Sequence, residues 1–144
     1  SFSADDKREI LEIDQLKFIP LICYEIIYSG KINPNKNYYD FILNISEDGW
    51  FGKTIGPQQH LSHSIFRSIE EGKNVIRSTN NGISAFVNPK GQIIKQITEK
   101  GYFDVKKIKR VNKTYFAKHG NKIFFYFVLI YTTFIVILKI RENK

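Results

Sequence analysis

The sequence contains few of the residues that stabilise small proteins by covalent or metal bonds. It has one cysteine, Cys23, among 144 residues, so no disulfide can form within the chain. The three histidines, His60, His63 and His119, have no cysteine partners at the spacing of a zinc site, and we expect no metal site and no cofactor. His60 and His63 fit one helix face, where a solvated or hydrogen-bonding role is expected. A chain of this length is sufficient for one modest domain with its own core.

Methionine is absent, and no secretory signal peptide is visible at the start of the chain. Ser1 is small enough to follow an initiator methionine that has been removed. The same start is compatible with a piece of a longer polypeptide, so both interpretations remain open.

Acidic residues are scarce in the last third of the chain, which makes the distribution of charge uneven. Residues 1–100 carry twelve Lys or Arg and twelve Asp or Glu, whereas residues 101–144 carry ten and two, which accounts for the net charge of +8. A nucleic-acid-binding protein would carry basic residues beside aromatic residues over its folded surface. Here the excess flanks an apolar run, so we expect no nucleic acid partner and instead contact with anionic lipid headgroups.

The longest uncharged apolar stretch runs from Ile123 to Leu138 and has sixteen residues. It is close to the lower limit of the roughly 17–25 residues that span a bilayer. A buried helix or strand is the alternative, because β-branched and aromatic residues are frequent in this stretch. Its place as the last element, with basic residues on both sides, favours a transmembrane helix.

Apolar runs separated by turn residues predict an α/β domain in the remainder of the chain. Such runs are typical of buried strands, and they lie at residues 18–23, 41–45, 75–79, 83–87 and 92–97. Between the second and third runs, Pro57 suits the first turn of a helix that continues to a stop at Gly72. Residues 1–17 fit either a short helix or the lead into a strand. This order of elements favours a sheet layered with helices.

Cys23 is the candidate nucleophile, because it ends the first of these runs and a carboxylate, Glu25, follows two residues later. The end of such a strand emerges from the sheet at the turn where α/β enzymes place nucleophiles. A cysteine thiolate attacks acyl groups to form a thioester, which divides one difficult acyl transfer into two easier steps. The alternative is a structural cysteine, since free cysteine is among the most buried residue types.

Four blocks of sequence occur together in the chain: PLICYEII, FILNISEDGWFG, IGPQQH and RSTNNGISAFVNPKGQII. In these blocks, their order and their spacing, the chain from about Phe18 onward resembles the C-terminal part of the apolipoprotein N-acyltransferase family, membrane-embedded members of the nitrilase (carbon–nitrogen hydrolase) superfamily. Several blocks in register are more specific than any single block. The resemblance implies that residues 1–117 form the C-terminal part of an αββα sandwich. Residues 118–144 would then form one transmembrane helix with basic flanks.

The resemblance also implies an activity and a location. Such an enzyme moves a fatty acyl group from a phospholipid, through a thioester on Cys23, to the N-terminal amine of a diacylglyceryl-modified apolipoprotein. It lies in the bacterial inner membrane, with the catalytic domain on the periplasmic side and the C-terminus in the cytoplasm. The count of basic residues alone predicts the opposite orientation. The alternatives are a catalytically inactive remnant or fragment and a soluble-type amidase, and the apolar C-terminal helix argues against the amidase.

Nitrilase-type enzymes use a Glu–Lys–Cys triad, and in this chain only Cys23 matches one of its blocks. The family's glutamate and lysine lie upstream of this block. The charged residues close to Cys23 in sequence match none of the triad blocks; they are Glu9, Glu12, Lys7 and Lys17. We therefore expect the chain to need the N-terminal part of the same enzyme as its partner and to be inactive alone. We also expect one face of its sheet to be uncovered.

Further site residues are implied by the same blocks. The backbone N–H of Tyr24, directly after the nucleophile, is a candidate donor to the tetrahedral oxyanion. Glu25 is either a solvated carboxylate at a helix start or a support for the nucleophile turn. Trp50 and Phe51 border the mouth of the site near the lipid, and for Trp50 a core anchor is the alternative.

The last block contributes residues that brace the pocket, Arg77 and Asn80, whereas Asn81-Gly82 is explained by a turn alone. The chain departs from the family's usual residues at two positions. Glu47 replaces an asparagine, and Gln58 replaces a tryptophan, a loss that is expected to weaken contacts with the acyl chain.

Overall fold

A computed structural model describes residues 8–33, 37–108 and 111–142 of the chain. Its central element is a six-stranded mixed sheet in which the strands follow one another in chain order. The strands are β1 (Leu11–Ile13), β2 (Leu16–Ile22), β3 (Phe41–Glu47), β4 (Asn74–Asn80), β5 (Ser84–Val87) and β6 (Ile93–Ile97). Strands β2, β3 and β4 are parallel, and the outer pairs are antiparallel. The α/β fold predicted from the sequence is therefore confirmed.

The N-terminal segment forms a β-hairpin, so the short helix considered for residues 1–17 is wrong for its described part. Asp14 and Gln15 connect β1 to β2 with φ values of 48° and 64°. Positive φ at both central residues is typical of a type I′ turn, whose twist matches that of the flanking strands. Residues 1–7 lie outside the described residues.

Helix α1 (Gly56–Glu71) connects the parallel strands β3 and β4. It begins and ends where the sequence predicts. Pro57 occupies its first turn, and Gly72 adopts a φ of 63° directly after its last residue. Short 3-10 helices follow β2 and β3, at Cys23–Ile27 and Gly49–Phe51.

Strand β3 is longer than predicted, because Ser46 and Glu47 belong to the strand rather than to a loop. They pair with Thr79 and Asn80 at the end of β4. The parallel ladder continues as long as both strands supply partners, and the sequence of β3 alone does not contain that information. This extension carries Ser46 to the edge of the sheet where Cys23 lies.

One face of the sheet is covered by α1 and by the 3-10 helix Cys23–Ile27. The core on this face includes Ile19, Leu21, Ile26, Ile42, Leu61, Val75 and Val87. The buried side of α1 is largely polar; it contains His60, Ser64, Arg67, Ser68 and Glu71. By contrast, Phe66 and Ile69 of the same helix are 55% and 47% exposed. Apolar spacing therefore predicts the helix but not the side that it buries.

The segment that leads to the C-terminus is attached to the end of α1. Lys73 Nζ donates a hydrogen bond to the carbonyl of Val111 at 3.1 Å, and Thr114 Oγ1 donates to the carbonyl of Glu70. A short helix α2 (Tyr115–His119) follows. These contacts fix where the last helix leaves the domain.

Helix α3 (Lys122–Glu142) is the helix expected at the C-terminus, and it is longer than the uncharged run that predicted it. Within the described part of the chain, it is the helix that is long and apolar enough to cross a membrane. None of its described residues is buried. This agrees with a transmembrane helix.

Candidate active site around Cys23

Cys23 lies at the first position after β2 and is half-buried. Its φ of 51° is in the left-handed region, which a non-glycine residue adopts at an energetic cost, so the surroundings must hold it there. The side chain of Asn44, on the neighbouring strand β3, holds Cys23 in this conformation. Its Nδ2 donates hydrogen bonds to the carbonyls of Leu21 at 3.0 Å and Cys23 at 3.3 Å, on both sides of the bend. The predicted position of the thiol at the strand end is confirmed.

Asp48, at the end of β3, is the centre of a buried charge network beside this turn. It is fully buried, and the Nη2 of Arg77 on β4 donates to both of its oxygens at 2.9 and 2.7 Å. The Nη1 of Arg77 donates to Asn44 Oδ1. Burial lowers the pKa of Arg77, and Asp48 opposes that effect. The pair is compensated at short range, as a buried ion pair must be.

His60 reaches the same carboxylate from α1. Its Nδ1 lies 2.9 Å from Asp48 Oδ1 and donates, because a carboxylate only accepts. Burial, followed by the positive charge of Arg77, lowers the pKa of His60, against the opposing effect of Asp48. The ring is therefore neutral near pH 7, and a hydrogen bond with the backbone of Cys23 also opposes the lowering of its pKa. The hydrogen-bonding role expected for this histidine is confirmed.

Two aromatic side chains cover the His60 ring. Tyr24 stacks on it with 5.2 Å between the ring centroids, and Phe51 packs edge-on at 5.7 Å. A small cavity of 70 Å³ lies between them, lined by Tyr24, Ile27, Phe51, Gly56, Gln59, His60 and His63. Gly56 is required here, because a Cβ at this position would overlap the Phe51 ring.

Ser46 completes the contacts with the thiol. Its hydroxyl oxygen lies 2.9 Å from Asp48 Oδ1 and 3.6 Å from Cys23 Sγ. The network therefore extends from Arg77 and His60, through Asp48 and Ser46, to the sulfur atom.

The acidic residue of the first block, Glu25, contacts the turn itself. Its Oε2 accepts a hydrogen bond from the Ile22 N–H at 2.7 Å, and its Oε1 accepts one from Arg8 Nη2 at 3.0 Å. This geometry suits a support for the nucleophile turn better than a solvated carboxylate. Tyr24 is the second residue of the 3-10 helix, and the first N–H groups of a helix have no partner within it.

Trp50 and Phe51 are placed differently, although they are adjacent in the sequence. Trp50 is 86% exposed, which excludes the core anchor considered for it. Phe51 is half-buried against Tyr24 and His60. Gln58, which stands where the family usually has a tryptophan, is exposed on α1.

Asn80 acts through Glu47 and not on the thiol turn. Its Nδ2 donates to Glu47 Oε2 at 2.6 Å, and the other oxygen of Glu47 accepts the Gly49 N–H at 2.6 Å. The Asn80 carbonyl accepts the Asp48 N–H at 3.0 Å. The turn glycine, Gly82, has a second role, since a Cβ there would overlap the Asp48 side chain.

Asn44, Ser46 and Asp48 are not among the site residues that the sequence predicts, and His60 has no predicted place in the site. A signal was available in β3, where Asn44 and Ser46 occupy alternate positions of a strand whose first five residues are otherwise apolar. Alternation of period two places both on one face, and polar residues on a covered face require partners. That pattern is the sequence signature of the network.

Of the charged residues near the N-terminus, Arg8 contacts the site through Glu25, whereas Glu12 and Lys17 lie away from it. Lys17 and Glu12 form an exposed ion pair of 3.9 Å on the β1–β2 hairpin. Because β2 has seven residues, this pair lies roughly 20 Å from Cys23. Among the residues that the structure describes, no group of His, Cys, Asp and Glu is arranged to hold a metal ion.

The chain is similar in sequence to a known protein family and to several of its curated members. Residues 1–102 match the carbon-nitrogen hydrolase family. The apolipoprotein N-acyltransferase of Rhizobium rhizogenes is 43% identical over 106 residues, which cover 72% of this chain and 20% of that protein. That of Rickettsia bellii is 40% identical over 124 residues, which cover 81% and 25%. The chain thus spans a fifth to a quarter of the length of these curated relatives, and the resemblance found in its sequence is confirmed.

Solved structures share the fold. A CN-hydrolase superfamily protein from Xanthomonas campestris superposes with a TM-score of 0.53 at 17% identity, covering 69% of this chain and 42% of that one. An amidase from Nesterenkonia superposes with a TM-score of 0.54 at 17% identity, covering 69% and 41%. Because the family match covers residues 1–102, well over half of the sequence, this chain belongs to the carbon-nitrogen hydrolase family.

Proposed function

We propose that this chain carries the nucleophile and the lipid anchor of an apolipoprotein N-acyltransferase. The observation that most supports this is Cys23, whose thiol lies at the end of a parallel strand in a left-handed turn that Asn44 holds. The curated relatives have this activity in their names. In addition, α3 is long and apolar enough to keep the site at a membrane.

In the first half-reaction, the Cys23 thiolate attacks the carbonyl carbon of a phospholipid acyl ester. The tetrahedral oxyanion accepts a hydrogen bond from the Tyr24 N–H. Its collapse breaks the ester C–O bond, and the lysophospholipid alcohol leaves with a proton. The acyl group remains on Cys23 as a thioester.

In the second half-reaction, the N-terminal amine of a diacylglyceryl-modified apolipoprotein attacks that thioester. An amide bond forms, the C–S bond breaks, and the amine proton passes to a base while the thiol is restored. By family resemblance, a glutamate base and an oxyanion-binding lysine come from the N-terminal part of the same enzyme. Glu12 and Lys17 do not supply these roles, because they lie at the opposite end of β2. Residues 1–144 are therefore expected to be inactive alone.

The other site residues would position these groups. Glu25 holds the turn through the Ile22 N–H, and Arg77 braces Asn44 and Asp48. Asn80 acts one step further away, through Glu47.

Trp50 and Phe51 are proposed to contact the acyl chain. Trp50 presents an exposed indole next to the site, and Phe51 forms an apolar wall beside Tyr24. Residues 1–117 would form the catalytic part and residues 118–144 the membrane part, since α3 begins at Lys122. The partners would be a phospholipid donor, an apolipoprotein acceptor and the membrane itself.

A chimera tests the activity. Residues 1–144 replace the matching C-terminal region of the Rickettsia bellii enzyme, and acyl transfer to a diacylglyceryl peptide is measured in vesicles. We expect activity in the chimera and a loss of roughly a thousandfold or more with Cys23→Ala. Mass spectrometry should detect a thioester-linked acyl group on Cys23 when phospholipid is supplied without acceptor. Undiminished transfer by the alanine variant would remove Cys23 from the mechanism.

The proposed location is a bacterial inner membrane, with the catalytic part on the periplasmic side and the C-terminus in the cytoplasm. Large domains translocate largely regardless of their charge, and earlier helices usually fix orientation. A reporter fused after Lys144 is therefore expected to be cytoplasmic in the chimera. In residues 1–144 alone, the basic residues before α3 favour mixed or inverted insertion. A periplasmic reporter in the chimera would contradict the assignment.

A further inference from the structure

The hydroxyl group of Ser46 lies between the thiol and the buried carboxylate. Ser46 is on β3, on the covered face of the sheet, and is 6% exposed. Its oxygen is 2.9 Å from Asp48 Oδ1 and 3.6 Å from Cys23 Sγ. A hydroxyl carries one proton and two acceptor lone pairs, so the two neighbours compete for a single donor.

Asp48 does not depend on that proton. Arg77 donates to both of its oxygens, and His60 donates to Oδ1, so the carboxylate remains hydrogen-bonded when Ser46 turns away. Sulfur differs, because a neutral thiol is a weak donor and a thiolate is a charged acceptor. The hydroxyl therefore has a distinct partner for each state of the cysteine.

The charged groups around the sulfur come from several elements, and Arg77 among them interacts electrostatically with Cys23. Asp48 from β3 and Arg77 from β4 form a compensated pair, and His60 from α1 is directed at Asp48. Glu25, in the turn of Cys23 itself, is engaged by the Ile22 N–H and by Arg8.

We propose that Ser46 is a further residue of the active site and donates a hydrogen bond to the Cys23 thiolate. With the neutral thiol, the Ser46 proton points to Asp48, and the hydroxyl oxygen accepts the S–H. On ionisation the hydroxyl turns about its Cβ–Oγ bond and donates to sulfur. No proton passes between the groups. The catalytic consequence rests on the proposed function, in which the thiolate attacks the acyl ester, but the contact itself does not.

The test uses the fact that Cys23 is the only cysteine of the chain. Alkylation of residues 1–144 in detergent micelles by iodoacetamide reports this thiol alone, and its rate is measured against pH. The matched variants are Ser46→Thr and Ser46→Val, which have the same shape and differ only in the hydroxyl. Ser78→Val, at an exposed position of β4, is the control for a β-branched side chain on a strand.

We expect the threonine variant to follow the wild-type profile and the valine variant to react about tenfold more slowly near pH 7, as for one hydrogen bond to a charged group. The pH of half-maximal rate should rise by about one unit in the valine variant. Equal profiles for the threonine and valine variants would overturn the inference.

Circular dichroism shows whether each variant folds. If the threonine and valine variants both disrupt the sheet, Ser46→Ala is compared with the wild type instead. In that comparison, an alanine profile equal to wild type overturns the inference, and a slower profile at higher pH supports it. If the chimera transfers no acyl group while these profiles separate as expected, the proposed function fails and the role of Ser46 stands.

Discussion

The two faces of the sheet differ in what covers them and in the chemistry that they carry. On the face beneath α1, Ile42 is fully buried next to Asn44 and Arg77, which belong to the network around Cys23. On the opposite face, Ile22 and Ile45 are paired in the β2–β3 register and remain 57% and 48% exposed. The covered face combines apolar packing with buried polar contacts, whereas the other face is open at Ile22 and Ile45 and buried at Phe41 and Phe86.

This difference indicates that the described chain covers one side of the sheet more completely than the other. The segment after β6 passes over one end of the open face, where a cavity of 200 Å³ is lined by Ile76, Ser78, Ile97, Tyr102, Phe103 and Val105, among others. Ile22 and Ile45 do not line this cavity and are exposed. Contiguous exposed apolar surface is typical of a contact site. In the αββα sandwich that the resemblance implies, a second sheet occupies this side.

The largest effect is expected from the buried ion pair of the covered face. Arg77→Ala leaves Asp48 buried and uncompensated, which should lower the free energy of unfolding by roughly 3–5 kcal/mol. Lys17→Ala removes the exposed pair with Glu12 and should cost about 0.2–1 kcal/mol. Urea unfolding in micelles, followed by circular dichroism, measures both. Equal losses in the two variants would show that the network does not stabilise this face.

A smaller difference in the free energy of unfolding is expected between alanine substitutions of two isoleucines of β3, which lie on opposite faces of the sheet. Ile42→Ala opens a cavity in the covered core and should cost roughly 2–4 kcal/mol. Ile45→Ala removes a side chain that is already 48% exposed, and about 1 kcal/mol is expected. The same unfolding measurement compares them. A larger loss for Ile45 would mean that the open face is packed in this chain.

The smallest effect concerns pH and belongs to the covered face alone. Because the pKa of folded His60 is below its ordinary value of 6.5, the unfolded chain takes up the proton first as the pH falls. The contribution of His60 to the free energy of unfolding is therefore fully present above pH 6.5. It is lost as the pH falls from 6.5 to the lowered pKa of the folded state. His60→Asn, whose amide can donate to Asp48 in place of Nδ1, should show a shallower decline.

Glu71 changes the free energy of unfolding with pH in the opposite direction, and it is present in both the wild type and the His60→Asn variant. Burial raises the pKa of Glu71, so its contribution is present at low pH and is lost as the pH rises through that pKa. Subtracting the free energy of unfolding of His60→Asn from that of the wild type at each pH therefore cancels the contribution of Glu71. NMR titration of the His60 ring gives a direct check, and a midpoint at or above 6.5 would contradict the prediction.

The sequence predicts much of the fold, because the signals for it are local. Apolar runs mark the strands, Pro57 and Gly72 bound α1, and the uncharged run between basic residues marks α3. Cys23 is found at the end of β2 because the strand and its polar boundary lie within a few residues of each other. Each of these features depends on neighbours along the chain.

The site depends on contacts that local patterns do not contain. Arg77 reaches Asn44 and Asp48 only because the parallel register places Asn44 opposite Arg77, about thirty residues away in the chain. His60 joins them because α1 turns a polar side inward, while the sequence marks it by its apolar residues. The sequence by itself thus determined most of the elements and the place of Cys23 at the end of β2. Strand register and helix rotation, which are set by packing over the whole sheet, decided which side chains surround the thiol.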